Sequence, residues 1–432
     1  MPTTVLIVDD EPGILTTLAG VLSDEGYATL ATGSGEAAVE LYRERQPDVV
    51  FLDVWLPDRD GLETLQAIRE LDPTAAVIMM SGHGTASTAV KAIKMGAFDY
   101  VEKPLSYNDA VDAVSGALEY RESVCLDSSL LASLERTKTK LEAVPELEPP
   151  APLSILRPTD APQRTLAEGA VLYGLGLHSG RRTGMTLQPL AADSGIHFVS
   201  LPTSTYLPAH VDFVAETDYA TTLSRDGQAI RTVEHLLSAL RASGVTNLLI
   251  KVHGEIPVLD GSALGFCEAL EGVGFVEQDR PRRELVIDRV YEVAGEGGKR
   301  LTIEPADEFS VRYEMSYPPP VGDQVCDFTL SSYEDYRREI APARTFGFMR
   351  DLGMMSELGL GSGGRLDNFI LVGEDDVVNT ELRFADEFAR HKVLDVIGDL
   401  YLLGYPLRGR VVARLTGHKA NIALLREIAA AG

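Results

Sequence analysis

Short apolar runs punctuate the first 122 residues at Val5–Val8, Val49–Leu52, Val77–Met80 and Tyr100–Val101. Amphipathic stretches such as Ile14–Asp24 and Gly35–Arg45 lie between them. Strands alternating with helices predict a parallel sheet covered on both faces. Residues 123–162 break this pattern. Leu130–Val144 reads as a modest polar helix, and Pro145, Pro149, Pro150, Pro152, Pro158 and Pro162 then follow within eighteen residues. Proline at that density is excluded from helix interiors and central strands, so the segment predicts a semi-rigid extended linker and a domain boundary. Residues 163–432 mix strands and helices without strict alternation, which predicts an α+β region. The charged stretch Glu277–Glu284 suggests a division into 163–280 and 281–432.

The length of 432 residues fits two or three domains, and the composition (45% hydrophobic, 24% charged) is that of a globular protein. The formal net charge is −26, of which −13 falls in residues 1–122. Nucleic-acid binding needs clustered Lys and Arg to neutralise phosphates, and neither half supplies such a cluster. Three widely spaced cysteines, Cys125, Cys267 and Cys326, fit neither a disulfide framework nor a Cys-based zinc site. They fit a reducing, cytoplasmic setting. The N-terminus lacks the basic and apolar regions of a signal peptide, and no apolar run approaches the ~20 residues of a membrane span.

Asp9 and Asp10 end the first apolar run and Asp53 ends the run at Val49–Leu52. Ligands of open α/β sheets bind outside the carboxyl ends of the strands. Three carboxylates there would hold a hard cation such as Mg²⁺. Ser81 and Lys103 follow the next two runs, and a hydroxyl and an ammonium at that edge would grip a phosphoryl oxygen. Each residue alone reads as a solvated loop group; the whole set at successive strand ends does not. With the motifs VDDE, FLDVWLPDRDG, MSGHGT and VEKP, residues 1–122 resemble the receiver domain of response regulators. The resemblance implies a doubly wound sheet of five parallel strands, with Asp53 as phospho-acceptor and Asp9 and Asp10 as Mg²⁺ carboxylates. It further implies Ser81 and Lys103 as phosphate contacts, Tyr100 as the aromatic switch, a cis peptide at Pro104, and a histidine kinase or other phosphodonor as partner. No nucleotide-binding loop of the G-x-x-x-x-G-K-[ST] type follows the linker, so the output differs from an ATPase.

The segment Asp386–Gly404 reads as a helix on which His391, Asp395 and Asp399 share one arc, with Leu394, Val396, Ile397, Leu400 and Tyr401 mainly opposite. Gly398, beside His391 on the wheel, is expected to keep that surface open. His and Asp at i, i+4 reach one metal ion, although a surface His bonded to an i+4 carboxylate gives the same spacing. A second helix is expected to begin near Thr232, taken as its N-cap, in Thr232–Leu240. His235 there would complete a His₂Asp set with one position open, the layout of a catalytic zinc. Glu234 would take a proton from water acidified by the metal. His418, expected in a loop after the strand-like Val411–Leu415, would act as acid or stabilise developing negative charge, oriented by Asp399. Each of these residues alone has a plain reading as a helix-surface or loop group.

The stretches QRTLAEGAVLYGLGLHSG, TVEHLLSALRASGVTNLLIKV, EIPVLDGSALGF, ARTFGFMRDL, RHKVLDVIGDLYLLG and TGHKAN run the length of residues 163–432. Together they resemble the UDP-3-O-acyl-N-acetylglucosamine deacetylases, zinc hydrolases of lipid A synthesis. The resemblance implies two α+β layers, or sub-domains, enclosing the active site, and a UDP-linked acylated amino sugar as substrate. It implies His235, His391 and Asp395 as zinc ligands, Glu234 as general base, His418 as acid or electrostatic partner, and Asp399 as its support. Thr345 would contact the reacting carbonyl, Lys392 the UDP phosphates, and Phe346 and His178 would line the site. Asp260, in an Asp-Gly pair, reads as a turn residue. Around Arg365–Asn368 the chain departs from the usual family wording. Three alternatives stay open: iron(II) in the same site, a non-haem iron oxygenase built on the His₂Asp set, and a catalytically silent binding module whose contacts receiver phosphorylation switches. A dimer through the receiver or the linker helix is compatible with the pattern.

Overall fold

The computed structural model describes residues 3–431 apart from 83–91, 93, 94, 104, 106, 108, 112, 119, 120, 122–152, 202, 352, 353, 355–359 and 366. The linker helix at Leu130–Val144 and the peptide at Pro104 therefore lie outside the described residues. The chain forms two compact units, Met1–Leu130 and Leu131–Gly432.

The first unit has the order β1 (Thr4–Val8), α1 (Pro12–Asp24), β2 (Ala28–Thr32), α2 (Gly35–Arg45), β3 (Val49–Asp53), α3 (Gly61–Leu71), β4 (Ala76–Ser81) and β5 (Asp99–Glu102). The strands lie β2-β1-β3-β4-β5, each pair parallel. Side chains of the central strands alternate into two separate cores. Leu6, Val8, Val50, Leu52, Val77 and Met79 fill one face, and Val5, Ile7, Val49, Phe51, Ile78 and Met80 the other. Burial on both faces explains why these strands are continuous apolar runs. Local chemistry starts the helices: Ser34 accepts from the Ala37 N–H at 3.1 Å to cap α2, and Asp60 accepts from the Leu62 N–H at 2.8 Å to cap α3.

The second unit is α+β. One mixed sheet has the order Thr205–Pro208, Ile196–Ser200, Leu248–Val252, Arg182–Pro189, Ala170–Leu175. The other follows the path Tyr291–Ala294, Arg300–Glu304, Leu407–Arg414, Phe275–Val286, Leu156–Leu166, with Phe309–Ser316 also on Leu407–Arg414 and Asp323–Thr329 on Phe309–Ser316. A single hydrophobic core joins both sheets to the helices Glu234–Ser243, Leu264–Val273, Glu387–Asp399 and His418–Ala431.

Two expected boundaries differ from the structure. Glu277–Glu284 is no break, because it lies inside the strand Phe275–Val286 that pairs with Leu156–Leu166. Glu277, Asp279, Arg280 and Arg283 are exposed while the backbone pairs. The same ladder begins at Leu156, so the last residues of the expected linker, Pro158 and Pro162 among them, are strand. They sit at the sheet edge, opposite Arg283 and Pro281 and beside register shifts, which is where a residue without an N–H is tolerated.

Candidate functional site

At the carboxyl edge of the receiver sheet, ligand atoms of Asp9, Asp10 and Asp53 all lie within 4.8 Å of one another. Asp9 and Asp53 are buried and Asp10 is exposed. Lys103 Nζ stands 2.6 Å from Asp9 Oδ2 and 2.7 Å from Asp53 Oδ2. Burial raises the Asp53 carboxyl above its ordinary value, against the pull of Lys103. Ser81 is fully buried at the end of β4, and Tyr100 is half-buried in β5. Three convergent carboxylates suit a hard divalent cation, with the exposed side of Asp10 leaving room for water ligands.

In the second unit the first helix of the site starts at Glu234, and Val233 occupies the cap position without a side-chain bond. Thr232 is not the N-cap. It takes a left-handed φ of +61° and its hydroxyl donates to Glu255 Oε1 at 3.2 Å. Glu255 also accepts from the backbone N–H groups of His178 (2.8 Å) and Ser179 (2.9 Å), so one buried carboxylate fastens the GLGLHSG turn to the approach of Glu234.

The helix Glu387–Asp399 carries His391, Asp395 and Asp399, as expected. It is not amphipathic, because both its polar arc and its apolar side are buried. Gly398 does not keep the surface open. A Cβ there would meet the Glu234 carbonyl oxygen at 2.0 Å, so the glycine lets the two site helices pack backbone to backbone. This approach brings His235 Nε2 to 3.7 Å and His391 Nε2 to 3.5 Å from Asp395 Oδ1. His418 is not a loop residue. Leu415 turns the chain at φ +52°, and His418 opens the helix His418–Ala431.

These atoms fit a metal. Ligands held ~2.0–2.1 Å from a tetrahedral ion lie ~3.3–3.5 Å apart, close to the separations found. Asp395 Oδ1 is buried and has no hydrogen-bond partner among the described residues, while Oδ2 accepts from Lys392 Nζ at 2.7 Å. His391 Nδ1 lies 3.0 Å from the Ala343 carbonyl oxygen, which selects the tautomer with a free lone pair on Nε2. Burial, aided by the neighbouring His391, holds the His235 imidazole down at about 3 and therefore neutral. Burial alone would raise the Asp395 carboxyl, but Lys392, His391, His418 and His235 hold it well below the usual carboxylate range.

Around this triangle lies a cavity of about 670 Å³ lined by Glu234, Thr345, Phe346, Lys392 and His418 together with the three candidate ligands. Burial pushes the Glu234 carboxyl up to about 8 in the metal-free chain, with Asp399 and Asp395 adding to it and His418 opposing. Burial disfavours the His418 imidazolium, yet Asp399, Glu234 and Asp395 outweigh it and raise the group to about 9. Glu234 Oε1 faces His418 Nε2 at 3.8 Å. Asp399 Oδ2 accepts from His418 Nδ1 and Asn421 Nδ2, each at 2.8 Å. The Lys392 ammonium also lies 5.7 Å over the Phe346 ring. His178 is buried, with both ring nitrogens unpartnered among the described residues; its neighbour Leu177 lines the cavity and His178 itself does not. Asp260 accepts from the Ser262 N–H and hydroxyl within its turn and from Arg383.

Sequence reasoning missed Lys299, Lys419, Tyr317 and Phe348, which also line the cavity, and the buried Thr221 and Asn421 behind it. Lys299 follows a Gly-rich hairpin with no local signal of a site. Thr221 and Asn421 carry no spacing that distinguishes them from other polar residues.

A buried His₂Asp triangle, with a carboxylate and an imidazole beside it at the wall of a cavity, defines a metal-dependent hydrolase. Residues 163–430 match the family described as UDP-3-O-acyl N-acetylglycosamine deacetylase, and the chain belongs to that family. Residues 5–115 match the response regulator receiver domain. The UDP-3-O-acyl-N-acetylglucosamine deacetylase of Myxococcus xanthus (strain DK1622) is 42% identical over 278 residues, covering 63% of this chain and 88% of the relative. That of Aliarcobacter butzleri (strain RM4018) is 39% identical over 269 residues, covering 62% and 89%. Among solved structures, the receiver domain of NtrX from Brucella abortus is 43% identical over 27% of this chain and 98% of its own, with a TM-score of 0.26. Among the described residues no helix is long and apolar enough to cross a membrane.

Proposed function

We propose that residues 163–432 hydrolyse the N-acetyl group of a UDP-3-O-acyl-N-acetylglucosamine, a step of lipid A synthesis, with zinc held by His235, His391 and Asp395. The observation that carries this reading is the convergence of the three neutral or anionic donors with Glu234 and His418 in one cavity. Zinc bound there supplies Lewis-acid chemistry, acidifying water and polarising a carbonyl. Iron(II) fits the same donors.

Glu234 accepts the proton of the attacking water as its oxygen bonds to the acetyl carbon. The carbonyl oxygen gains negative charge, which the imidazolium of His418 and the hydroxyl of Thr345 stabilise. The C–N bond then breaks, and the amine nitrogen leaves with a proton returned from Glu234 or His418. The products are acetate and the free 2-amine. Asp399 fixes the His418 tautomer through Nδ1. Lys392, Lys299 and Lys419 give the cavity wall positive charge to receive the diphosphate, against the negative charge of the whole chain. Phe346 and the turn at His178 shape the wall near the reacting group.

We further propose that Asp53 accepts a phosphoryl group from a histidine kinase or another phosphodonor, with Mg²⁺ on Asp9, Asp10 and Asp53 and the phosphoryl oxygens on Ser81 and Lys103. Phosphorylation, relayed within the receiver by Tyr100, then regulates hydrolysis. The proximity of Lys103 to both Asp9 and Asp53 supports this part.

The test is acetate release by the full chain from UDP-3-O-(acyl)-N-acetylglucosamine, with metal content measured on the same sample. We expect turnover at about one zinc per chain, and Glu234→Ala and His418→Ala proteins that keep the metal and lose most of kcat. A metal-loaded chain without turnover removes the hydrolase reading and leaves a binding module. The same assay with and without acetyl phosphate tests regulation. Equal rates in the wild type, or a response that persists in Asp53→Asn, exclude it.

A further inference from the structure

We propose that Thr221 is a positioning residue of the hydrolytic site, binding Glu234 and His418 into one frame. The inference rests on the hydrolase reading above. Thr221 is fully buried, and it lies behind the cavity wall rather than on it.

Its backbone N–H donates to Glu234 Oε2 at 3.1 Å, and its carbonyl accepts from the Val233 N–H at 3.3 Å. The Thr221 peptide is thereby pinned to the start of the Glu234 helix, where it holds the carboxylate itself. From the same residue the hydroxyl donates to Asp399 Oδ1 at 2.6 Å. Asp399 Oδ2 takes the His418 and Asn421 bonds. One residue therefore joins the two groups that face each other across 3.8 Å by hydrogen bonds running behind the cavity.

The consequence is geometric. Donors on both oxygens prevent the Asp399 carboxylate from turning about its Cβ–Cγ bond. The Thr221 hydroxyl is the donor to Oδ1 among the described residues. Without it the carboxylate can rotate about the His418 and Asn421 contacts, and the imidazole it holds loses its aim at the reacting oxygen. Hydrogen bonds to a buried charged acceptor are among the stronger ones in proteins, so this freedom has a measurable cost. The backbone bond to Glu234 survives any side-chain replacement, so substitution isolates the hydroxyl.

The experiment compares Thr221→Val, which keeps shape and removes the hydroxyl, with Thr221→Ser, which keeps the hydroxyl. Both are measured as the zinc-loaded full chain on UDP-3-O-(acyl)-N-acetylglucosamine. We expect kcat of Thr221→Val to fall about 10–100-fold, with KM and metal content within about twofold of wild type. Thr221→Ser should stay within about threefold. In a His418→Gln background the valine should cost less than about twofold more, because the group it acts through is already gone. A Thr221→Val protein with wild-type kcat, or one that pays its full penalty in the His418→Gln background, overturns the proposal. If the valine variant does not fold, Thr221→Ala takes its place in the same comparisons. An inactive wild type sinks the hydrolase reading, whereas an active wild type indifferent to Thr221 sinks only the positioning role.

Discussion

Replacing Gly398 by alanine tests whether the site depends on backbone contact between its two helices. A Cβ at 398 would sit 2.0 Å from the Glu234 carbonyl oxygen and 2.8 Å from the carbonyl carbon. Non-bonded carbon and oxygen do not approach below about 3 Å, so the helices must part by about 1 Å. His235 follows Glu234 on one helix, while His391 and Asp395 ride on the other. Metal–ligand distances tolerate only about 0.2 Å. The predicted result is a zinc affinity at least about tenfold weaker, read by chelator competition with metal analysis. Overpacking costs about 1–3 kcal/mol, and at about 2–4 °C per kcal/mol Tm should fall by about 2–12 °C. Gly272→Ala is the control: it lies in the helix Leu264–Val273 with nothing within 4 Å of its added Cβ, and should be neutral or slightly stabilising. A Gly398→Ala protein with wild-type zinc affinity and unchanged Tm would refute the packing argument.

Three further outcomes are expected. Arg344 and Glu387 form a buried pair in which Nε donates to Oε1 at 2.9 Å, and the Arg344 N–H donates to the same oxygen at 3.1 Å. Arg344→Met should cost about 3–5 kcal/mol in urea unfolding, since it strands a buried carboxylate, and a loss under about 1 kcal/mol would contradict that. Burial holds the His197 imidazole below its ordinary value of 6.5. Its folded-state value is depressed, so the stability it lends is present above about 6.5 and is lost as pH falls below it. His197→Gln should flatten the slope of unfolding free energy against pH in that window, and an unchanged slope would exclude His197 as its source. Burial pushes the thiols of Cys267 and Cys326 up to about 12. Both should resist iodoacetamide at pH 8 in the native protein and react once it is unfolded; rapid native labelling of either, seen by peptide mass analysis, would contradict their burial.

What the sequence made legible divides by mechanism. The central receiver strands announce themselves because burial on two faces demands unbroken apolar runs, as at Val49–Leu52 and Val77–Met80. The strand Ala28–Thr32 gave no such signal, since it is an edge strand whose residues are half-buried or exposed. The helical part of the candidate metal triangle was legible because His391 and Asp395 share a helix at i, i+4, a spacing set by helix geometry alone. His418 was misread as a loop residue because a left-handed turn at Leu415, and no capping pattern, starts its helix. The Thr232 cap failed for a related reason. Its hydroxyl is spent on Glu255, a partner that tertiary structure supplies and local pattern cannot announce.

Three supporting positions whose roles the sequence pattern did not announce share a property: they act through backbone atoms or through another side chain. Gly398 works by what it lacks, against the carbonyl of Glu234. Ala343 sets the tautomer of His391 with its carbonyl oxygen, so almost any side chain at 343 leaves that bond intact. Thr221 holds Glu234 by its N–H and reaches His418 only by way of Asp399. The consequence is an asymmetry in how the site tolerates change. On the proposed hydrolase reading, the ligand and base positions should fail by losing metal or proton transfer outright, whereas these supporting positions should fail in proportion to the displacement they permit. Graded losses at Gly398 and Thr221, with metal affinity sensitive to the first and kcat to the second, are what a site assembled by two touching helices and one bridging residue requires.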